Sequence, residues 1–352
     1  MGQMLSTPVT SVESETHESR QYRIAVGSMQ GWRVNMEDAH VVRVGIGPDQ
    51  EALMAGVYDG HGGATIAQYV AHNLPARILQ HPKFTSNTPE ALRQSFMEVD
   101  MAMMTDDRLR DDTSGSTAVM VVLINNKIFC ANAGDSRAIA SRGGVVEQLS
   151  FDHKPMNPGE YDRILGAGGW VEFNRVNGNL ALSRAFGDFE FKRNSSRAQH
   201  EQIVTAVPDV IIKDVSDDLE FIVLACDGIW DVLTMTEVLE FVRGRIAQGL
   251  EPVGICTDLL NRCLAPDCTA GGIGCDNMTV ILICCLQGQS YNSVITKCRT
   301  PPATLASPLN SQPTSRHGIR PSIAMATSRN GNTQSVSSNA SVPTSRGSGS
   351  QR

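Results

Sequence analysis

Four aspartates stand where apolar runs of this sequence stop. Asp59 follows Ala55–Tyr58, Asp135 closes Cys130–Gly134, Asp227 ends Phe221–Cys226, and Asp276 sits just before Met278–Cys284. Short β-branched runs bounded by turn residues read as strands. Each carboxylate therefore lies at the mouth of a strand, able to reach a shared cleft without entering the core. Four such acids facing one another repel strongly unless cations stand between them. Oxygen-only donors of this kind suit Mg²⁺ or Mn²⁺ rather than zinc. Taken singly, an Asp before Gly is an ordinary turn former or cap, so the recurrence of the placement carries the weight.

The surrounding pattern gives strands at Ala118–Ile124, Lys127–Ala133, Glu220–Ala225 and Met278–Cys284, with Asn125-Asn126 as a hairpin turn between the first two. Helices are expected over Gly63–Leu79, Pro89–Met104, Pro158–Ala167, Thr234–Gln248 and Pro252–Leu264, the third capped by Asn157 with proline at its first position. Strands that follow one another directly, with helices set between groups of them, point to an α+β fold with antiparallel sheets and leave the strand order open. Residues 1–21 read as a flexible arm, 22–286 as one packed domain, and the Ser/Thr/Arg-rich stretch 287–352 as a disordered tail.

The net charge is −7, and the tail from Pro301 onward holds five Arg and no Lys, Asp or Glu, so the acid is concentrated in the body. That balance argues against a nucleic-acid groove, which needs clustered bases to neutralise phosphates. The nine cysteines read as buried reduced thiols of a cytoplasmic protein. The spacing of Cys256, Cys263, Cys268 and Cys275 lacks the short knuckle of a zinc site.

Seven motifs then occur in order. They are Gly31–His40, Asp59-Gly60-His61-Gly62-Gly63, Ser114–Ala118, Ala133-Gly134-Asp135-Ser136-Arg137, Leu182–Asp188, Ala225-Cys226-Asp227-Gly228-Ile229-Trp230-Asp231 and Asp276–Val280. Together they resemble the PPM-type, or type 2C, protein serine/threonine phosphatases over about residues 22–286. The resemblance implies a four-layer αββα sandwich of two antiparallel sheets flanked by helices. It also implies two Mg²⁺ or Mn²⁺ ions in the active site and a weaker third. Asp59 would bridge the pair, with Glu37 and the Gly60 carbonyl on one ion and Asp227 and Asp276 on the other, and Asp135 would join Asp227 at the third. Asp38 and Asp231 would stand behind these ligands. Arg33 would bind the phosphate, His61 would be the general acid, and a hydroxide shared by the two ions would attack phosphorus in phosphoserine or phosphothreonine.

His40 and His153 read as structural, because residues that match the motifs better fill the metal and acid roles. The stretch Pro155–Arg184 resembles the family's flap beside the active site, where substrate preference is set. Two other functions compete: a binding protein built on an inactive phosphatase domain, which a lost ligand would have favoured, and a hydrolase of small phosphate esters. Phosphoproteins are the expected partners and a monomer the expected state. Met1-Gly2-Gln3-Met4-Leu5-Ser6 satisfies the M-G-x-x-x-[ST] pattern for myristoylation at Gly2. One acyl chain would give a cytoplasmic protein only reversible membrane association.

An all-oxygen ligand set with no protein charge to replace the cations has a direct consequence. Chelation is expected to abolish phosphopeptide turnover and added Mg²⁺ or Mn²⁺ to restore it, whereas full activity in excess chelator would contradict the metal reading.

Overall fold

The run Leu53–Tyr58 is buried at every residue, so both faces of its sheet are covered. Strand alternation decides which residue goes where. Leu53, Ala55 and Val57 enter an inner core between two sheets, while Met54 and Tyr58 enter an outer core beneath helices. The computed structural model describes residues 4–46, 50–268 and 272–302.

Eleven strands build the two large sheets: β1 (Glu13–Glu18), β2 (Tyr22–Met29), β3 (Ala39–Val44), β4 (Leu53–Tyr58), β5 (Ala118–Ile124), β6 (Lys127–Ala133), β7 (Arg137–Arg142), β8 (Val145–Gln148), β9 (Asp209–Asp214), β10 (Leu219–Ala225) and β11 (Met278–Cys285). One sheet runs β9-β6-β5-β4-β3 and the other β8-β7-β10-β11-β2-β1, with every neighbouring pair antiparallel. Helices α1 (Thr65–Gln80) and α2 (Thr88–Thr105) cover the five-stranded sheet. Helix α3 (Pro158–Gly166) stands in the flap, and α4 (Met235–Ala247), α5 (Pro252–Cys263) and α6 (Tyr291–Arg299) cover the six-stranded sheet. The result is the α+β sandwich that the motifs imply. Asn125 and Asn126 both adopt positive φ (53° and 59°), the two-residue turn that the β5–β6 hairpin needs.

The flap is tied down by charge. Glu160 on α3 accepts hydrogen bonds from Arg163, Arg184 and Ser183, and Arg184 also reaches Asp209 on β9. Burial alone would raise the Glu160 carboxyl, but these partners hold it down to about 2.

Several expectations need correction. The arm expected over 1–21 contains Met4–Val9, paired with Gly31–Arg33, and β1, paired along its length with β2. β1 is polar throughout and so shows no apolar alternation. It sits at a sheet edge, where charged side chains are favoured because they discourage pairing with other chains. The domain end expected at Leu286 falls short of α6, whose Tyr291, Val294, Ile295 and Cys298 are buried. Asn157 precedes α3 without a side-chain cap, because its amide donates instead to the Asp152 carbonyl at 2.7 Å. Cys268 and Cys275, with Cα atoms 6.0 Å apart, form a disulfide, so the reduced state holds only for the seven other, buried cysteines. Gly2 and residues 303–352 lie outside the described residues. Among the described residues no helix is long and apolar enough to cross a membrane.

Each large side chain buried by α6 contributes roughly 1.5–3 kcal/mol. Arg243 of α4 also donates to the carbonyls of Lys297 and Thr300. A chain ended at Leu286 is therefore expected to melt several degrees below one ended at Pro302 in calorimetry, and equal melting temperatures would show that α6 adds nothing to the core.

Candidate active site

The strand mouths converge because backbone segments approach closely at glycines. A Cβ on Gly60 would lie 2.3 Å from the Glu37 carbonyl oxygen, and one on Gly228 would lie 2.1 Å from that of Asn277. No larger residue permits either contact, so glycine sets Glu37 beside Asp59-Gly60 and Asp227 beside Asp276-Asn277. Asp59 itself is pinned from both sides, its amide donating to Thr117 Oγ1 (3.1 Å) and its carbonyl accepting from the Thr117 amide (2.9 Å).

The structure brings these carboxylates together. Oxygens of Asp38 and Asp59 and the Cys226 sulfur lie within 4.8 Å of one another. Burial raises the Asp59 carboxyl well above the usual carboxylate range, and the charges of Asp227, Asp38, Asp135 and Asp276 raise it further. Asp227 is raised in the same way by burial and by Asp135, Asp276, Asp231 and Asp38. Burial lifts Asp38 to about 7, opposed by the hydrogen bond its Oδ2 accepts from Thr279 (2.7 Å). Burial and the acids around it likewise push the Cys226 thiol far up. The cluster thus lacks positive charge in proportion to its acids, and hard divalent cations fit its oxygen donors.

Two bases partly fill the role. Arg33 donates through Nη2 to Asp276, and Lys154 donates to Asp135. Arg33 Nε is buried without a hydrogen-bond partner among the described residues. Asp231 lies at the exposed rim, its carboxyl raised by partial desolvation and by Asp135 and Asp276 against the opposing charges of Lys154 and Arg137.

Three residues without a role in the sequence reading belong to this constellation. Asn277 accepts from the Glu37 amide (2.9 Å) and donates to the Gln30 and Asn35 carbonyls, so it holds the loop that carries Arg33, Glu37 and Asp38. Lys154 stands against Asp135. Asp188 accepts from His61 Nε2 at 2.8 Å. Burial opposes protonation of His61, yet the Asp188 carboxylate holds the imidazole above its usual value. His153 takes no part in the cluster: it is buried, accepts the Gly134 amide on Nδ1 and pairs with Asp209 through Nε2. His40 pairs with Glu15 of β1.

A protein-family model described as "Protein phosphatase 2C" matches residues 22–271. A "Probable protein phosphatase 2C" of Caenorhabditis elegans is 52% identical over 302 residues, covering 86% of this chain and 85% of the worm protein. The chain belongs to the protein phosphatase 2C family. "Protein phosphatase 2C homolog 3" of Schizosaccharomyces pombe is 47% identical over 292 residues, covering 82% of this chain and 70% of the yeast protein. A crystal structure of a Toxoplasma gondii phosphatase superposes with a TM-score of 0.67 at 24% identity, covering 79% of this chain and 96% of that one, and shares the fold. As a member of the phosphatase 2C family, this protein is a metal-dependent protein serine/threonine phosphatase acting on phosphoproteins.

Proposed function

We propose that this phosphatase hydrolyses phosphoserine and phosphothreonine with cations held by Glu37, Asp59, the Gly60 carbonyl, Asp227 and Asp276, and a weaker third cation at Asp135 and Asp227. The observation that supports it is the mutual elevation of Asp59, Asp227 and Asp38 at one cleft, which is costly for a folded protein unless cations offset it. A bound pair of Mg²⁺ or Mn²⁺ ions supplies an acidified water as the attacking group and offsets charge on the phosphoryl oxygens.

The remaining work belongs to the chain. Asp38, fixed by Thr279, and Asp231 at the rim orient the groups around the ligands. Arg33, held at the cleft by its Nη2 contact with Asp276, binds the phosphate through its guanidinium fork. His61, two residues after Asp59, gives a proton to the leaving serine or threonine oxygen, which is a poor leaving group as an alkoxide. The flap beside the cleft exposes Met156, Trp170 and Phe173, surface suited to contacts with the substrate protein. Acylation of Gly2 and reversible membrane association rest on the N-terminal sequence pattern alone.

His61→Gln separates proton donation from the rest. A loss of about 10²–10⁴-fold is expected on a phosphoserine peptide. A much smaller loss is expected on p-nitrophenyl phosphate, whose phenolate leaves unprotonated, with Mn²⁺ affinity unchanged. Equal losses on the two substrates, or a large fall in Mn²⁺ affinity, would remove His61 from the general-acid role.

A further inference from the structure

Three two-residue strands form a small sheet of their own, in the order Phe186–Gly187, Gly115–Ser116, Gly60–His61. Gly115 lies in the centre, opposite Gly187 on one side and His61 on the other. A Cβ at Gly115 would stand 2.4 Å from His61 Nε2 and 2.2 Å from Asp188 Oδ2. Only a glycine leaves the space through which the His61 ring reaches across the strand to the Asp188 carboxylate at 2.8 Å.

Asp188 is held as firmly as an active-site group. It is 5% exposed and sits in the left-handed region (φ 50°, ψ 41°), a conformation that costs a non-glycine residue and persists only where the surroundings impose it. Its amide donates to the Ser114 carbonyl at 3.2 Å. The preceding Gly187 also has positive φ (71°), and its amide donates to Asp100 Oδ1 at 2.9 Å. Asp100, on α2, is buried with Lys192, whose ammonium contacts both its oxygens (2.9 and 2.7 Å) and the Ala185 carbonyl (2.8 Å). A buried ion pair is weak evidence for stability as such. Here it has a definite geometric effect, because it clamps both ends of the short segment that presents Asp188.

We propose that Asp188 is the positioning residue of the general acid, anchored by the Asp100–Lys192 pair, and that it fixes His61 so that Nδ1 delivers the proton. Asp188 engages Nε2–H, which leaves Nδ1–H for the substrate. As the phosphorus–oxygen bond breaks, the Nδ1 proton passes to the leaving serine or threonine oxygen, giving an alcohol and a neutral imidazole still hydrogen-bonded to Asp188. The arrangement is that of an acid–base histidine oriented by a buried carboxylate. It rests on the reading of His61 as general acid.

The test is a double-mutant cycle over His61→Gln and Asp188→Ala in the full chain with Mn²⁺. Each protein is assayed on a phosphoserine peptide and on p-nitrophenyl phosphate. Asp188→Ala is expected to lower kcat on the peptide about 10–10²-fold, part of the whole general-acid effect, with KM changed by less than about twofold. The loss on the aryl phosphate is expected to be severalfold smaller. The double variant should be no slower than His61→Gln alone, because residues that act as a unit are not additive. Asp188→Asn, which keeps an acceptor oxygen, should recover much of the peptide rate. If Asp188→Ala does not fold, Gly115→Ala wedges a methyl group into the His61–Asp188 contact and should show the same substrate dependence. Equal losses on both substrates, or losses that multiply in the double variant, would overturn the positioning role while leaving His61 as general acid. Equal losses for His61→Gln itself would overturn the general-acid reading and this proposal with it.

Discussion

Repulsion among carboxylates crowded into one cleft is the constraint around which this structure is built. At an effective dielectric constant near 20, two like charges about 4 Å apart repel by about 4 kcal/mol. Burial displaces the Asp59 carboxyl far upward, and four other acids displace it further. Such a cluster persists only if the chain holds the acids by something stronger than their own preferences. The inner core does so. The strands that precede Asp59 and Asp227 and follow Asp276 are buried on both faces, so the acid at each mouth cannot move away without unpacking a strand. The electrostatic cost is local and the packing that offsets it is spread over the sandwich.

The same economy explains the glycines. At Gly60, Gly115 and Gly228 a side chain would collide with backbone or with a working group at 2.1–2.4 Å. Each removes a Cβ so that two segments carrying polar groups can touch. The residues around them supply fixed hydrogen bonds: Asn277 to the loop of Arg33 and Glu37, Thr117 to Asp59, and Thr279 to Asp38. Orientation of the loop of Arg33 and Glu37, of Asp59 and of Asp38 therefore comes from neutral donors and acceptors, while His61 is held by the carboxylate of Asp188.

How much of this was legible in the sequence follows from range. The β5–β6 hairpin was visible to the residue, because two apolar runs and an Asn-Asn turn are local signals. The acid cluster was visible because strand ends are local too. Asp188 was not, because its partner His61 lies 127 residues away and Asp-Phe after glycine reads as a turn. Asn277 was hidden beside Asp276, where an amide that bridges three backbone groups looks like filler. β1 was lost for a different reason. Its sequence ESETHE carries no alternation, and only the edge of an existing sheet makes it a strand. α6 did carry a signal, with buried residues at positions 291, 294, 295 and 298, the spacing of one helical face. Its Ser- and Thr-rich surroundings masked it.

If repulsion relieved by cations is the organising interaction, stability must report it without any substrate. Calorimetry of the wild-type protein and Asp59→Asn, each in chelator and in millimolar Mg²⁺ or Mn²⁺, is the direct measurement. A cation that binds only the folded state raises Tm by mass action. The expected result is that Asp59→Asn melts above the wild type in chelator, because a carboxyl whose ionisation the cluster disfavours has been replaced by a neutral amide, and gains little from metal, whereas the wild type gains several degrees. A variant that melts below the wild type in chelator, together with a wild type indifferent to cations, would contradict the account.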